Sequence, residues 1–152
     1  MTIAPVRHSV SVRATPERAF ELFTSRLGDW WPGKGIGAEP LERAVLEPGI
    51  GGRWYEIGKS GAESDWGRVK IWSPPRRLVL DWQISAAFKP DPSIHTEVEV
   101  TFEAQQDGST LVTLEHRDLE RFGDKAGAMR EAIGSPNGWP SKVAAYARYV
   151  NS

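Results

Sequence analysis

The order of strand-like and helix-like segments constrains this chain more than any single motif. A strand pattern over Val6–Val12 precedes a helix that begins at Pro16, roughly five further strand patterns follow, and an amphipathic helix is predicted over residues 140–150. An antiparallel meander has one apolar face, and the final helix is the element available to cover it. That helix carries three alanines beside Val143 and Val150. A small helix over a wide sheet predicts a cavity between them, which is where ligands usually bind.

Length, charge and cysteine content limit the classes of protein to which this chain can belong. Its 152 residues suit a single domain, which we expect to span 1–152. The net charge is −1, with acids and bases interspersed, which predicts neither a nucleic-acid surface nor a membrane-binding basic patch. Cysteine is absent from the sequence, which excludes disulfides and thiolate chemistry. Without a signal-like or spanning apolar run, we expect a cytoplasmic protein.

Alternation of apolar and polar residues predicts the strands, and capping residues and prolines predict where the helices begin. Thr15 is expected to cap a helix whose first residue is Pro16. A second helix is expected over residues 124–133, with Asp124 as its N-cap. The predicted strands cover Val6–Val12, Leu41–Leu46 and residues 53–57, 66–72, 78–84, 94–104 and 110–116.

Tryptophan is the one residue type that is unusually frequent in this chain, with seven among 152 residues. Core packing explains most buried aromatic residues. Five of the seven are nevertheless also predicted to line the cavity: Trp30, Trp31, Trp54, Trp82 and Trp139. Trp66 and Trp72 alternate to the face opposite Val69, so two interpretations remain open. Either they face solvent and form a partner or dimer surface, or a bulge turns them inward.

Short motifs along nearly the whole chain match one family. They are Ala14-Thr15-Pro16-Glu17-Arg18-Ala19-Phe20, Trp30-Trp31, Pro48-Gly49 with Gly51-Gly52-Arg53, Gly67, Val69, Pro74-Pro75, Arg77-Leu78, Trp82 and Gly138-Trp139. On these residues the chain resembles a START-like (SRPBCC superfamily) domain of the activator-of-heat-shock-ATPase-homologue type. The resemblance implies an α+β helix-grip fold. In that fold a bent antiparallel sheet of six to seven strands wraps around a C-terminal α-helix, and short helices follow the first strand.

Three ionisable residues fall on predicted inward faces, namely His8, Glu56 and His116. The resemblance places the first and last strands side by side, so the two histidines are expected to share a face as near neighbours. They could form a polar anchor or a histidine–carboxylate acid–base pair. The alternative is a histidine near a strand end that is satisfied by backbone or water. Their spacing indicates no metal site, and His95 alternates to the glutamate-bearing face.

The combined prediction is a carrier or sensor that binds a small, largely hydrophobic molecule in the cavity. No catalytic residue, metal or cofactor is predicted, and a homodimer is compatible with an outward tryptophan pair. The predicted ligand-binding residues are His8, Trp30, Trp31, Trp54, Glu56, Trp82, Phe102, His116, Trp139 and Tyr146. Members of the resembled family also cyclise or hydrolyse small molecules or act on a chaperone. A hydrolase or cyclase and a chaperone-interacting module therefore remain alternatives.

Overall fold

A single antiparallel sheet organises the chain in the computed structural model, which describes residues 3–33, 35–37 and 39–152. Its seven strands follow the order β1-β7-β6-β5-β4-β3-β2, so the first strand lies beside the last. The strands are β1 (Val6–Val12), β2 (Leu41–Leu46), β3 (Arg53–Gly58), β4 (Glu63–Ser73), β5 (Arg77–Trp82), β6 (Thr96–Ala104) and β7 (Thr110–Arg117).

The helices lie in two groups, one after β1 and one after β7. The first group is α1 (Pro16–Thr24) and α2 (Leu27–Trp30), and the second is a 3₁₀ segment (Leu119–Lys125), α3 (Ala126–Gly134) and α4 (Trp139–Asn151). The curled sheet grips α4, which confirms the predicted α+β helix-grip fold. Within the described residues, no helix is both long and apolar enough to cross a membrane.

Local sequence signals explain one helix start and fail at another. The hydroxyl of Thr15 accepts a hydrogen bond from the Arg18 N–H at 3.2 Å, and Pro16 occupies the first turn of α1, as predicted. Asp124 does not cap α3, because it lies inside the 3₁₀ segment that precedes the helix. Gly123 breaks the helical path there with a φ of 63°, so the α-helix begins only afterwards.

Trp66 and Trp72 both face the interior because β4 carries two irregularities. Its pairing with β3 skips Trp66, and its pairing with β5 skips Lys70. Each extra residue reverses the faces of the residues that follow it. Trp66 is consequently 3% exposed, and the ring of Trp72 packs edge-on against Phe20 with centroids 5.0 Å apart. The outward pair considered as a dimer surface is therefore wrong.

Aromatic side chains fill the space beneath the middle of α4. Tyr146 is fully buried, and its ring centroid lies 5.1 Å from that of Phe23 and 5.2 Å from that of Trp30. Phe102 packs against Phe23 from the sheet side. The Tyr146 hydroxyl donates to the Ala19 carbonyl at 2.7 Å. We expected empty volume along this helix, but rings from α1 and α2 reach across the gap that its alanines leave.

Candidate functional site

A cavity of about 500 Å³ lies at the N-terminal end of α4, between that helix, the end of α3, the end of β5 and two loops. This volume falls within the range of about 300–1,000 Å³ typical of small-molecule sites. Its lining is mainly apolar and aromatic. The principal side chains are Trp31, Trp66, Trp82, Trp139, Ile36, Ile84, Ile133, Phe88, Lys89 and Lys142.

The tryptophans of the lining contact one another and form a continuous aromatic wall. The centroid of Trp31 lies 4.9 Å from that of Trp66 and 6.1 Å from that of Trp139. Trp82 lies 5.8 Å from Trp139, and both it and Trp66 pack against the buried Trp54. Such tilted and edge-on contacts are the preferred arrangements of aromatic rings. Mutual packing therefore holds the four lining indoles in place.

His116 orients Trp139 from behind the wall. The Trp139 Nε1–H donates to His116 Nδ1 at 3.0 Å, so the proton of the neutral ring resides on Nε2, which contacts Thr96 Oγ1 at 2.8 Å. His116 is fully buried, and that burial lowers its pKa to about 3. The imidazole is therefore neutral near pH 7, and both of its nitrogens are engaged by protein atoms.

Glu56 fixes two further parts of the wall in the same way. Its carboxylate accepts hydrogen bonds from the backbone N–H groups of Ile36 and Gly37 and from the Trp66 indole, the last at 2.8 Å. Gly35 allows this close approach, because a Cβ there would lie 2.2 Å from Glu56 Oε2. A buried carboxylate with three donors holds segment 35–37 against β3, from which Ile36 reaches the cavity.

Nine of the ten predicted ligand-binding residues lie in three places. Trp31, Trp82 and Trp139 line the cavity, and Glu56 and His116 lie directly behind its wall. Trp54 also lies behind the wall, against Trp66 and Trp82. Trp30, Phe102 and Tyr146 belong to the aromatic cluster beneath α4.

His8 lies apart from the residues that line the cavity. The β1–β7 register pairs His8 with Leu114 and Val6 with His116, which puts both histidines on the same face, one step apart. The face prediction is therefore confirmed. A shared polar anchor does not follow, because the nitrogens of His116 bond to Thr96 and Trp139 instead. His95, predicted on the opposite face, has a half-exposed side chain that contacts Asp81 Oδ2 at 2.8 Å.

Lys142 is the lining residue that sequence reasoning should have found. It follows Trp139 by three residues, a spacing that places two side chains on the same face of a helix. Its Nζ donates to the Asn137 carbonyl at 3.1 Å and lies 5.6 Å from the centroid of the Trp31 ring. Burial lowers the pKa of this half-buried amine. The contributions of Ile36 and of the 84–89 loop had no comparable signal in the sequence.

Comparisons with known proteins agree with this architecture. A family model described as "Activator of Hsp90 ATPase homolog 1-like protein" matches residues 13–144. The anthrahydroquino-γ-pyrone synthase Txn09, solved in complex with SUM, is 38% identical over 97% of each chain, with a TM-score of 0.67. CalC from Micromonospora echinospora, described as a self-sacrificing resistance protein, is 34% identical over 97% of this chain and 94% of that chain, with a TM-score of 0.69.

More distant structures share the fold alone. The Aha1 dimer from Colwellia psychrerythraea is 14% identical over 98% of this chain and 97% of that chain, with a TM-score of 0.66. Comparison with curated protein sequences gave no match. The family match nevertheless extends from α1 into α4, and two solved relatives exceed 30% identity over 97% of this chain. The chain therefore belongs to the Activator of Hsp90 ATPase homolog 1-like protein family.

Proposed function

We propose that this protein binds a small, largely apolar aromatic molecule in the cavity at the start of α4. The observation that carries the proposal is the convergence of four tryptophans on one cavity of about 500 Å³. Apolar surface transferred from water into such a site supplies affinity, and a few polar groups then set orientation. Indole rings held in place by their neighbours suit a planar ligand, because little side-chain freedom is lost on binding.

The hydrogen bonds of Glu56 and His116 favour binding over acid–base catalysis by these residues. A general acid or base must reach the proton that it transfers. Both groups instead bond to protein atoms and orient Trp66, segment 35–37 and Trp139. Their role in this proposal is to shape the cavity, which is what a carrier or sensor requires.

The named relatives support an aromatic ligand and suggest a second candidate function. The name of Txn09 describes a synthase of an anthrahydroquino-γ-pyrone, which is a fused aromatic compound, and CalC is named as a resistance protein. A ring-closing activity on such a compound is the second candidate, with Lys142 as the half-buried ionisable side chain at the cavity. A chaperone-docking role has less support. Among the described residues, the large exposed apolar side chains are Ile50 and Phe88, on two different loops.

Filling the cavity tests the binding proposal with a matched control on the same helix. Ala132 is exposed and lines the cavity, whereas Ala128 is exposed one turn earlier in α3, outside the lining. We expect Ala132→Trp to weaken binding of anthracene-2-methanol at least about tenfold, since the new indole would occupy the ligand's volume. Ala128→Trp should bind like the wild type. The readout is the fluorescence anisotropy of the anthracene, excited where tryptophan does not absorb.

Two outcomes would contradict the binding proposal. One is failure of the wild type to bind both anthracene-2-methanol and the corresponding carboxylate, and the other is equal affinity of all three proteins for the methanol. The second candidate is tested separately, by incubating the protein with an anthraquinone that carries a phenolic hydroxyl beside an unsaturated ketone. Chromatography then shows whether the recovered compound is unchanged, as a carrier requires, or has been cyclised.

A further inference from the structure

The charged side chains that line the cavity all have the same sign. Among the lining residues that the structure describes, Lys89 and Lys142 carry charge, and none is an aspartate or glutamate. The buried carboxylate of Glu56 is not among the lining residues, and it accepts three hydrogen bonds from protein donors behind the wall. The cavity therefore combines an apolar aromatic interior with positive charge.

Lys142 differs from other lysines of the chain in its surroundings. Lys59 pairs with Glu42 and Lys70 pairs with Glu97, both in exposed positions. The amine of Lys142 is half-buried, and no carboxylate of the described residues lies within 4.0 Å of it to form an ion pair. Its pKa is lowered by burial alone. A partly desolvated charge without a counter-ion costs folding free energy, so its position at the cavity calls for a compensating partner.

The geometry of Lys142 leaves room for that partner to be a ligand. An ammonium group has three donors, and the contact with the Asn137 carbonyl uses one of them. The Trp31 ring lies 5.6 Å from Nζ, within the range of a cation–π contact, which keeps the amine beside the aromatic wall. An anionic oxygen attached to a ring in the cavity would then gain a charge-assisted hydrogen bond.

We infer that the ligand is an aromatic acid, in which an apolar ring system carries an anionic oxygen, a carboxylate or a phenolate, that pairs with Lys142. This inference rests on the proposed function, and it narrows the class of ligand. Lys89 is exposed, in the loop that follows β5, and it adds positive charge to the same cavity. The tryptophans alone would accept many planar aromatic molecules. The positive charge at the cavity would favour those that carry an anionic group.

Two probes of the same ring size separate charge recognition from apolar binding. Anthracene-2-carboxylate and anthracene-2-methanol are titrated against the wild type and Lys142→Met, which keeps an unbranched apolar stem. We expect Lys142→Met to weaken carboxylate binding about tenfold or more, and to change methanol binding less than about twofold. Lys125→Met, which removes an exposed lysine just before α3, should bind both probes like the wild type. Lys142→Gln replaces Lys142→Met if the latter does not fold.

The outcomes of this experiment distinguish the inference from the function on which it rests. Equal weakening of both probes by the Lys142 variant, or no effect on either, overturns the inference and leaves the proposed function intact. If the wild type binds the methanol but not the carboxylate, the inference is likewise overturned and the proposed function is unaffected. If neither probe binds the wild type, the proposed function itself is wrong.

Discussion

Acidification should destabilise this fold through His116, the buried histidine behind Trp139. Burial lowers the folded-state pKa of this residue from 6.5 to about 3. The unfolded chain therefore takes up a proton below about pH 6.5, whereas the folded chain does not until about pH 3. The contribution of His116 to the free energy of unfolding is fully present above this window. It falls as the pH drops through the window, with a limiting slope of about 1.4 kcal/mol per pH unit. Between about pH 7.5 and pH 5 the expected loss is about 2 kcal/mol.

Urea denaturation followed by circular dichroism across this pH range measures the effect. The control is His116→Gln, whose amide keeps a donor and an acceptor near Thr96 and Trp139 without titrating. All other ionisable groups are the same in both proteins, so their contributions cancel in the difference. A wild-type stability that is flat between pH 7.5 and pH 5, or an equal slope in the variant, would refute the reasoning.

Three substitutions test the parts that hold the cavity wall. Glu56→Leu orphans three donors and should cost at least about 3 kcal/mol in urea denaturation, and a loss below about 1 kcal/mol would contradict its anchoring role. Gly35→Ala should lower the melting temperature because its Cβ would lie 2.2 Å from Glu56 Oε2, whereas Gly127→Ala, with nothing within 4 Å, should raise it. The opposite order would be inconsistent with the geometry. Trp139→Phe removes the donor to His116 and should cost about 1 kcal/mol, and unchanged stability would show that this bond contributes nothing.

Most of the strands and the first helix can be predicted from the sequence, because apolar–polar alternation and helix-capping residues are local signals. The strand positions and the Thr15 cap derive from patterns within single elements. The pairing of β1 with β7, and with it the shared face of His8 and His116, was an implication of the family resemblance. The inward position of Trp66 does not, because one extra residue in β4 reverses every face that follows it. Alternation alone does not predict the position of such a β-bulge.

The position of the cavity could not be deduced from the sequence. Counting small residues in α4 indicated free volume, but the reach of Phe23 and Trp30 decides where that volume remains. Segment 35–37 joins the wall through bonds to Glu56, about 20 residues away in the chain. Such tertiary contacts have no periodic signature in the sequence. Lys142 could have been predicted as a lining residue, since its spacing from Trp139 places both on one helix face.

The most direct test of the central claim is to locate a bound aromatic molecule in the crystal. Crystals of the wild type grown with 2-bromoanthracene allow the bromine to be placed by its anomalous scattering. We predict a single strong bromine peak inside the cavity, in contact with Trp82 and Trp139. A peak instead in the polar groove between Arg18 and Tyr149 would contradict the account. Water filling the tryptophan-lined cavity at saturating probe would contradict it equally.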